Sequence, residues 1–254
     1  MKEARLVRME SYIHQREAVS IDELRDRFSM SLTTVRRDIA AMLKKGSVEK
    51  VYGGVKARKN DLLRPFDARL EERQESKQAI GRKAAEMARD GDIIFIDSGT
   101  TTMHVIPALS ERRGVTIVTY SLHGMTLALR HPNLSVIALP GQLQMATGSI
   151  TGLDALRFLR RHNIGTAFMA ATGWSLTRGV TNSSPPEYEI KKAAMERSER
   201  RVLLIDAYKL GRTAMLSYAQ IQDFHALVTD AAPGDAYADA LREAGVSCEV
   251  TDIG

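Results

Sequence analysis

A chain of 254 residues, 44% hydrophobic and 26% charged, is long enough for one large domain or two ordinary ones with real cores. Its lone cysteine, Cys248, excludes a disulfide framework and a thiolate metal site, and no stretch reaches the ~18 apolar residues of a membrane span. The formal net charge of +5 is localised: residues 1–30 balance six Lys/Arg against six Asp/Glu, whereas residues 31–59 carry eight basic residues against two acidic ones, the footprint of either nucleic-acid binding or a solvated face.

The first residues, Met1 to Arg8, hold no signal-peptide core, so a cytoplasmic protein is expected. Leu6, Met9, Tyr12 and Ile13 recur at helical spacing and predict a helix over residues 3–15, broken at Ala18-Val19-Ser20-Ile21. Ser20 with Glu23 three residues on reads as a capping box for a second helix whose buried face is Leu24 and Phe28. After the turn Ser29-Met30-Ser31, a third helix buries Val35, Ile39, Met42 and Leu43 and stops at Gly46. Its opposite face carries Ser31, Thr33, Thr34, Arg36 and Arg37, groups suited to phosphates and base edges in a major groove. This is a helix-turn-helix pattern, in which the start of the second helix of the pair reads DNA. Residues 47–55 alternate and contain Gly53-Gly54, which predicts a β-hairpin wing with Lys50 and Tyr52 as further DNA contacts. On periodicity alone, a three-helix protein-interaction module stays open.

The runs Ser20-Ile-Asp-Glu-Leu24, Phe28-Ser-Met-Ser31, Thr34-Val-Arg-Arg-Asp-Ile39 and Tyr52-Gly-Gly-Val55 resemble the winged helix-turn-helix of the DeoR family of bacterial transcription regulators. That resemblance implies a DNA-binding domain over residues 1–57, with double-stranded operator DNA as its partner. Residues 58–75, dense in charge and broken by Pro65, read as a hinge. The resemblance implies that Pro65-Phe66 and the Arg69 to Arg73 stretch pack partly on the C-terminal domain.

From Ser76 onward helical and strand signals alternate, which predicts an α/β domain over residues 76–254 with a mostly parallel sheet. Helices are expected at 77–89, 101–111, 122–129, 155–161, 186–197 and 236–244, and strands at 92–96, 115–119, 134–139, 166–170, 201–205, 226–229 and 247–250. In such sheets ligands sit beyond the carboxyl ends of the strands. The first strand runs into Asp97-Ser98-Gly99-Thr100-Thr101-Thr102, which is either a short capped turn or an anion-holding loop with its N–H groups pointing outward. Thr119, Gly141, the run to Thr181 and Asn182, and Asp206 to Lys209 come after other strands.

Asp97-Ser-Gly-Thr-Thr101, Gly179-Val-Thr-Asn182 with Glu187 and Lys191, Asp206 with Lys209 and Gly211, and Thr229-Asp230 are similar to the sugar-phosphate-sensing domain of the same family, which is similar in fold to ribose-5-phosphate isomerase and CoA-transferase proteins. The resemblance implies that residues 98–102 cradle a phosphate, that Asp97 contacts the sugar, that Lys209 reaches the ligand's charge and that Glu187 and Lys191 line or support the pocket. Two departures stand out. Tyr120 and Gln144 replace an asparagine and an arginine usual in the family, leaving Arg178 or Lys192 as substitutes for the missing charge. Trp174 either stacks on a sugar or fills the core. The histidines have no metal-ligand spacing, and no cofactor is expected.

The expectation is a repressor of a sugar or polyol catabolic operon, acting as a homodimer or homotetramer and relieved by a phosphorylated sugar or polyol. The alternatives are a sugar-phosphate isomerase using Asp97 or Asp206 as base, and an activator or co-repressor-dependent regulator.

Overall fold

A computed structural model describes residues 2–16, 18–45, 48–57 and 66–251. Gly46, and residues 58–65 of the expected hinge with Pro65 among them, lie outside these described residues. The chain forms two compact units: Met1–Arg64 with Leu210–Arg212, and Pro65–Lys209 with Thr213–Gly254. Among the described residues no helix is long and apolar enough to cross a membrane.

The first unit runs α1 (Lys2–Arg16), β1 (Ala18–Ser20), α2 (Ile21–Phe28), α3 (Leu32–Lys45), β2 (Val48–Val51) and β3 (Gly54–Ala57). Its core is Met9, Ile13, Val19, Leu24, Val35, Ile39, Met42, Val48 and Val55, one apolar stripe from each helix closed by the sheet. The segment expected as a plain break after the first helix is a strand: β1 pairs antiparallel with β3, Val19 opposite Val55. The paired glycines serve two different needs. Gly53 adopts φ 76°, the left-handed conformation the hairpin turn requires. At Gly54 a Cβ would lie 2.2 Å from the Val19 carbonyl oxygen, so only glycine lets β1 join the wing. The capping box is half formed. Ser20 accepts from the Glu23 N–H at 3.1 Å, but the Glu23 carboxylate instead accepts from the Tyr12 hydroxyl at 2.8 Å.

The second unit begins with α4 (Phe66–Glu71) and α5 (Gln74–Ala85). Residues 66–75, expected as the tail of a hinge, are therefore largely helical. Phe66 is buried and its ring stacks on His123 at 3.8 Å, tying α4 to this unit. The chain continues as β4 (Ile93–Ile96), α6 (Val105–Leu109), β5 (Thr116–Thr119), α7 (Leu122–Ala128) and β6 (Ser135–Ala138). A hairpin of β7 (Gln142–Gln144) and β8 (Ser149–Thr151) leads to α8 (Leu153–Arg160) and β9 (Ile164–Ala170). Then come β10 (Gly173–Ser175), β11 (Gly179–Asn182), α9 (Pro185–Arg197), β12 (Ser198–Leu204), β13 (Leu216–Ala219), β14 (Ala226–Thr229), α10 (Asp235–Glu243) and β15 (Ser247–Val250).

Seven strands form one sheet in the order β15-β14-β12-β9-β4-β5-β6, each pair parallel. The α/β fold with a mostly parallel sheet is thus present. The strand order fixes where a ligand can enter. From β4 the chain moves outward through β5 to β6, then returns to β9 on the other side of β4 and moves outward again. Connections leave β4 and β9 in opposite directions, which opens a crevice beyond their carboxyl ends.

Two expectations need correction. The helix expected over 101–111 is a 3-10 turn, Thr102–His104, followed by the short α6; Pro107 sits in its first turn, where its missing N–H is tolerated. The polar loop expected over 173–182 is instead β10 and β11, which pair with β13 in a separate antiparallel sheet.

Candidate functional site

In the first unit, Ser31 caps α3: its hydroxyl accepts from the Thr34 N–H at 3.3 Å and shares a hydrogen bond with the Thr34 hydroxyl at 2.9 Å. Thr33, Arg36 and Arg37 are exposed, Thr34 half-buried, and Val35 and Ile39 fill the core behind them. Asp38 points the other way. It is fully buried and accepts from Arg5 Nε at 2.8 Å and Nη2 at 3.1 Å, a two-pronged pair that locks α1 against α3. Sequence reasoning placed Asp38 only inside a motif. The division of labour across Arg36-Arg37-Asp38 comes from helical geometry, which turns each successive residue by about 100°. Lys50 is exposed on β2 and Tyr52 stands fully exposed at the tip of the wing. An ion pair between Lys56 and Glu49 at 2.9 Å crosses the wing ladder.

In the second unit, Asp97 follows β4 at the crevice and is completely buried. Its Oδ1 accepts from the Ser98 N–H at 2.9 Å and from the Tyr120 hydroxyl. Its Oδ2 accepts from the Ala170 N–H at 2.7 Å and from Lys191 Nζ. A carboxylate offers about four acceptor positions, so every one is taken. Lys191 also donates to the Ala170 carbonyl at 3.0 Å, as does the Tyr218 hydroxyl at 2.8 Å. Asp97, expected to contact a sugar, has a carboxylate that ties β4 to β9 and to α9. Tyr120, noted as a departure, supplies one of the four bonds. Burial and the Asp97 charge push the Tyr120 phenol well above its ordinary pKa, so it stays a donor.

The turn after Asp97 is built for close approach. At Gly99 a Cβ would meet the Ala170 Cβ at 2.3 Å. Thr102 donates to the carbonyls of Asp97 at 2.7 Å and Gly99 at 3.0 Å, and Ser98 donates to Glu187 at 3.1 Å. Thr100 and Thr101 are buried, and the Thr101 hydroxyl has no partner. Among the described residues the backbone N–H groups of Gly99, Thr100 and Thr101 have no acceptor either. Three successive free N–H groups make an anion-binding concavity.

A second charged group follows β12, the strand on the far side of β9 from β4. Asp206 is fully buried; Arg73 Nε donates to its Oδ2 at 3.3 Å, while Oδ1 has no partner. Arg73 precedes α5 with φ 48°, a costly backbone for a non-glycine residue, and its guanidinium lies 3.9 Å from the Tyr208 ring centre. Its Nη1 is buried without a partner. Lys77, one turn into α5, is buried and donates to the Arg69 carbonyl. Burial, with Lys209 and Arg73 close by, pulls its pKa down to about 7 against the opposing pull of Asp206 and Glu72. Lys209 is pulled down to about 8, by burial first, with Asp206 opposing. Burial would raise the Asp206 pKa, but Arg73, Lys209 and Lys77 together hold it below the usual carboxylate value. Sequence reasoning did not select Arg73 or Lys77. The available signal was a lysine inside an apolar helical stripe, with Ile80, Gly81, Ala84 and Ala85 on the same face.

The remaining candidates divide. Glu187 and Lys191 meet the 97–102 turn directly, as described. Thr119 is buried and donates to the Ile96 carbonyl at 2.7 Å. Thr181 donates to the Gly173 carbonyl at 2.9 Å and accepts from the Ala214 N–H at 2.9 Å, and Asn182 donates to the Ser184 carbonyl at 3.1 Å. These three brace the frame. Gly141 is exposed at the base of the β7–β8 hairpin, and Gln144 donates to Thr151 within it at 3.0 Å. Arg178 is exposed in the β10–β11 turn. Lys192 lines a separate shallow cleft with Met195, Glu196, Arg201 and Asp223. Trp174 packs edge-on against Tyr237 at 4.9 Å and is buried, a core residue. Among the described residues no group of three His, Cys, Asp or Glu side chains is placed to hold a metal ion.

Comparisons with known proteins match both units. The sequence model of the DeoR-like helix-turn-helix domain matches residues 5–61, and that of the DeoR C terminal sensor domain matches residues 72–231. The HTH-type transcriptional regulator IolR of Bacillus subtilis is 40% identical over 243 residues, covering 96% of this chain and 97% of that protein. The glycerol-3-phosphate regulon repressor of Escherichia coli is 28% identical over 238 residues, 94% of each chain. Among solved structures, a D-ribose-5-phosphate isomerase in complex with phospho-erythronic acid aligns over 54% of each chain at 18% identity and a TM-score of 0.41. The chain belongs to the DeoR family of transcription regulators, with a DNA-binding helix-turn-helix domain followed by a sensor domain.

Proposed function

We propose that this regulator represses a sugar or polyol catabolic operon in the cytoplasm and is released from its operator by a phosphorylated sugar or polyol held in the second unit. The observation that carries the reading is the exposed Thr33, Arg36 and Arg37 face at the start of α3, with Ser31 and Thr34 at its cap. It offers cations and hydroxyls to a duplex while the rest of the helix is core. The anion-binding turn at 99–101 is the corresponding feature on the sensing side. An effector weakens operator binding only by binding the DNA-free protein more tightly, so the coupling is reciprocal. Two copies reading two half-sites would suit a homodimer or a homotetramer, and light scattering measures which.

We infer no catalytic role for Asp97, because a base that accepts four hydrogen bonds cannot take a substrate proton without dismantling them. The test of the DNA assignment is fluorescence anisotropy on the regulator's operator. The double variant Arg36→Ala/Arg37→Ala should lose at least tenfold in affinity and lower the salt slope by about 1 to 2. Its sensor domain should melt unchanged. Normal operator binding by that variant would overturn the docking assignment.

A further inference from the structure

We propose that Arg212 is a positioning residue for the operator-reading helix: through Glu10 and α1 it ties the seating of α3 to the loop that follows β12, so that operator binding and the state of that loop depend on each other. This rests on the reading of the protein as a regulator whose operator binding is set by its second unit, and it names the residue pair that carries the dependence.

Three residues stand apart from the domain in which the sequence puts them. Helix and strand alternation assigns everything from Ser76 onward to the α/β domain, yet Leu210–Arg212 pack as part of the first compact unit, with Met1–Arg64. The residues on either side of them belong to the second unit and are hydrogen-bonded within it. The Ala207 N–H donates to Asp230 at 2.6 Å, the Lys209 N–H to the Asp206 carbonyl at 3.0 Å, and the Ala214 N–H to the Thr181 hydroxyl at 2.9 Å. Gly211 makes the bend between these anchors with φ 79°. Held at both ends, so short a segment cannot shift within the first unit without pulling on the turn at Ala207–Lys209 or on Ala214.

Inside the first unit Arg212 meets α1. Its Nη2 donates to Glu10 Oε1 at 3.4 Å, and the two residues are 5% and 1% exposed. The pairs Arg25–Asp22, Arg25–Asp26 and Lys56–Glu49 of the same unit are exposed, where solvent screens the charges and lets the side chains move. A desolvated pair behaves differently. Its attraction offsets the lost hydration only in good geometry, so a small separation of the charges is costly. An apolar contact tolerates sliding, and this one does not.

α1 passes the constraint on. Arg5 lies five residues before Glu10, about 140° around the helix and ~7.5 Å along it. Its guanidinium holds the buried Asp38 of α3 at 2.8 and 3.1 Å. Asp38 directly follows Arg36 and Arg37 on α3. Met9 and Ile13 bind the remaining face of α1 into the core. One helix therefore holds the operator-reading helix through one buried carboxylate and the loop after β12 through another.

The test is hydrogen exchange of the full-length protein, read by mass spectrometry with and without a saturating amount of the regulator's operator duplex. Coupling between sites is reciprocal, so an operator affinity that depends on the second unit requires that operator binding alter that unit. In wild-type protein the amides of residues 203–209 and 213–219 are expected to change exchange rate by about fivefold, the lower end of ordinary coupling. Either single replacement strands a buried charge, so the principal variant is Glu10→Leu/Arg212→Met, which fills the space without charge. Operator should still protect α3 in this variant, and the change at 203–209 and 213–219 should disappear. A pair that served only to hold the fold together would shift the melting midpoint and leave that change as in wild type, and this result would overturn the assignment. If the double variant folds poorly, Arg212→Lys and Arg212→Gln give the same readout: retention of the change in the first with its loss in the second supports the assignment, and an equal response in both overturns it. Protection of α3 with no change at 203–209 and 213–219 in the wild-type protein would instead overturn the reading of the two units as coupled, and the role of the pair with it.

Discussion

Two buried carboxylates stand at neighbouring parts of the same sheet and are held in opposite ways. Asp97 has a donor for each acceptor position and its countercharge Lys191 shares the Ala170 carbonyl with Tyr218. Asp206 has one donor, Arg73, one oxygen with no partner, and two lysines close by, one of which, Lys77, directs its hydrogen bond at the Arg69 carbonyl. Both residues are fully buried and both follow strands, so burial and topology do not distinguish them. Satisfaction does. A complete network rigidifies, while an incomplete one holds its members less firmly.

The largest expected effect tests the Asp97 side. Lys191→Met leaves a buried carboxylate without its countercharge, and breaking such a pair from one side costs about 3–5 kcal/mol. Urea unfolding of the full-length protein should show the midpoint falling accordingly. Adding Asp97→Asn should restore a large part of it, because the neutral amide needs no countercharge. If Lys191→Met cost no more than an exposed ion pair, the view of Asp97 as a structural tie would break.

A smaller effect concerns the turn that follows Asp97. Gly99→Ala places a Cβ 2.3 Å from that of Ala170. Overpacking of this kind costs about 1–3 kcal/mol. The compensating change Ala170→Gly should recover most of the loss in the melting midpoint. An unaltered midpoint in Gly99→Ala alone would mean that β4 and β9 can separate at the crevice without cost.

Much of this could be read from residue types and spacing, and the reasons for the rest are physical. The three helical stripes of the first unit, the parallel sheet and the turn at 97–102 follow from local periodicity and from Gly and hydroxyl placement. The β1 strand escaped notice because three residues carry no period, and its pairing depends on Gly54 being bare, which only the packed structure reveals. The helical content of 66–75 was hidden by charge density, since a solvated face and a buried cluster have the same composition. Asp97 was read as ligand-facing because its position after a strand is visible in sequence, whereas the Tyr120 and Lys191 side chains that fill its acceptor positions come from 23 and 94 residues away. Lys77 is the converse case: its place in the apolar stripe was visible, and its meaning emerges only beside Asp206 and Lys209.

The smallest expected effect on stability belongs to Lys77, and its pH dependence is what identifies it. Replacing Lys77 by Met removes one hydrogen bond to the Arg69 carbonyl and one desolvated amine, opposing contributions that should leave the midpoint within about 1 kcal/mol of wild type at pH 7. The lysine's pKa is about 7 in the folded protein, against an ordinary value of 10.5. Between those values the unfolded chain holds a proton that the folded chain lacks, so the Lys77 contribution to stability rises with pH from about 7 toward 10.5 and is flat below. Lys77→Met should remove that part of the slope, read as a smaller gain in melting midpoint between pH 7 and pH 9.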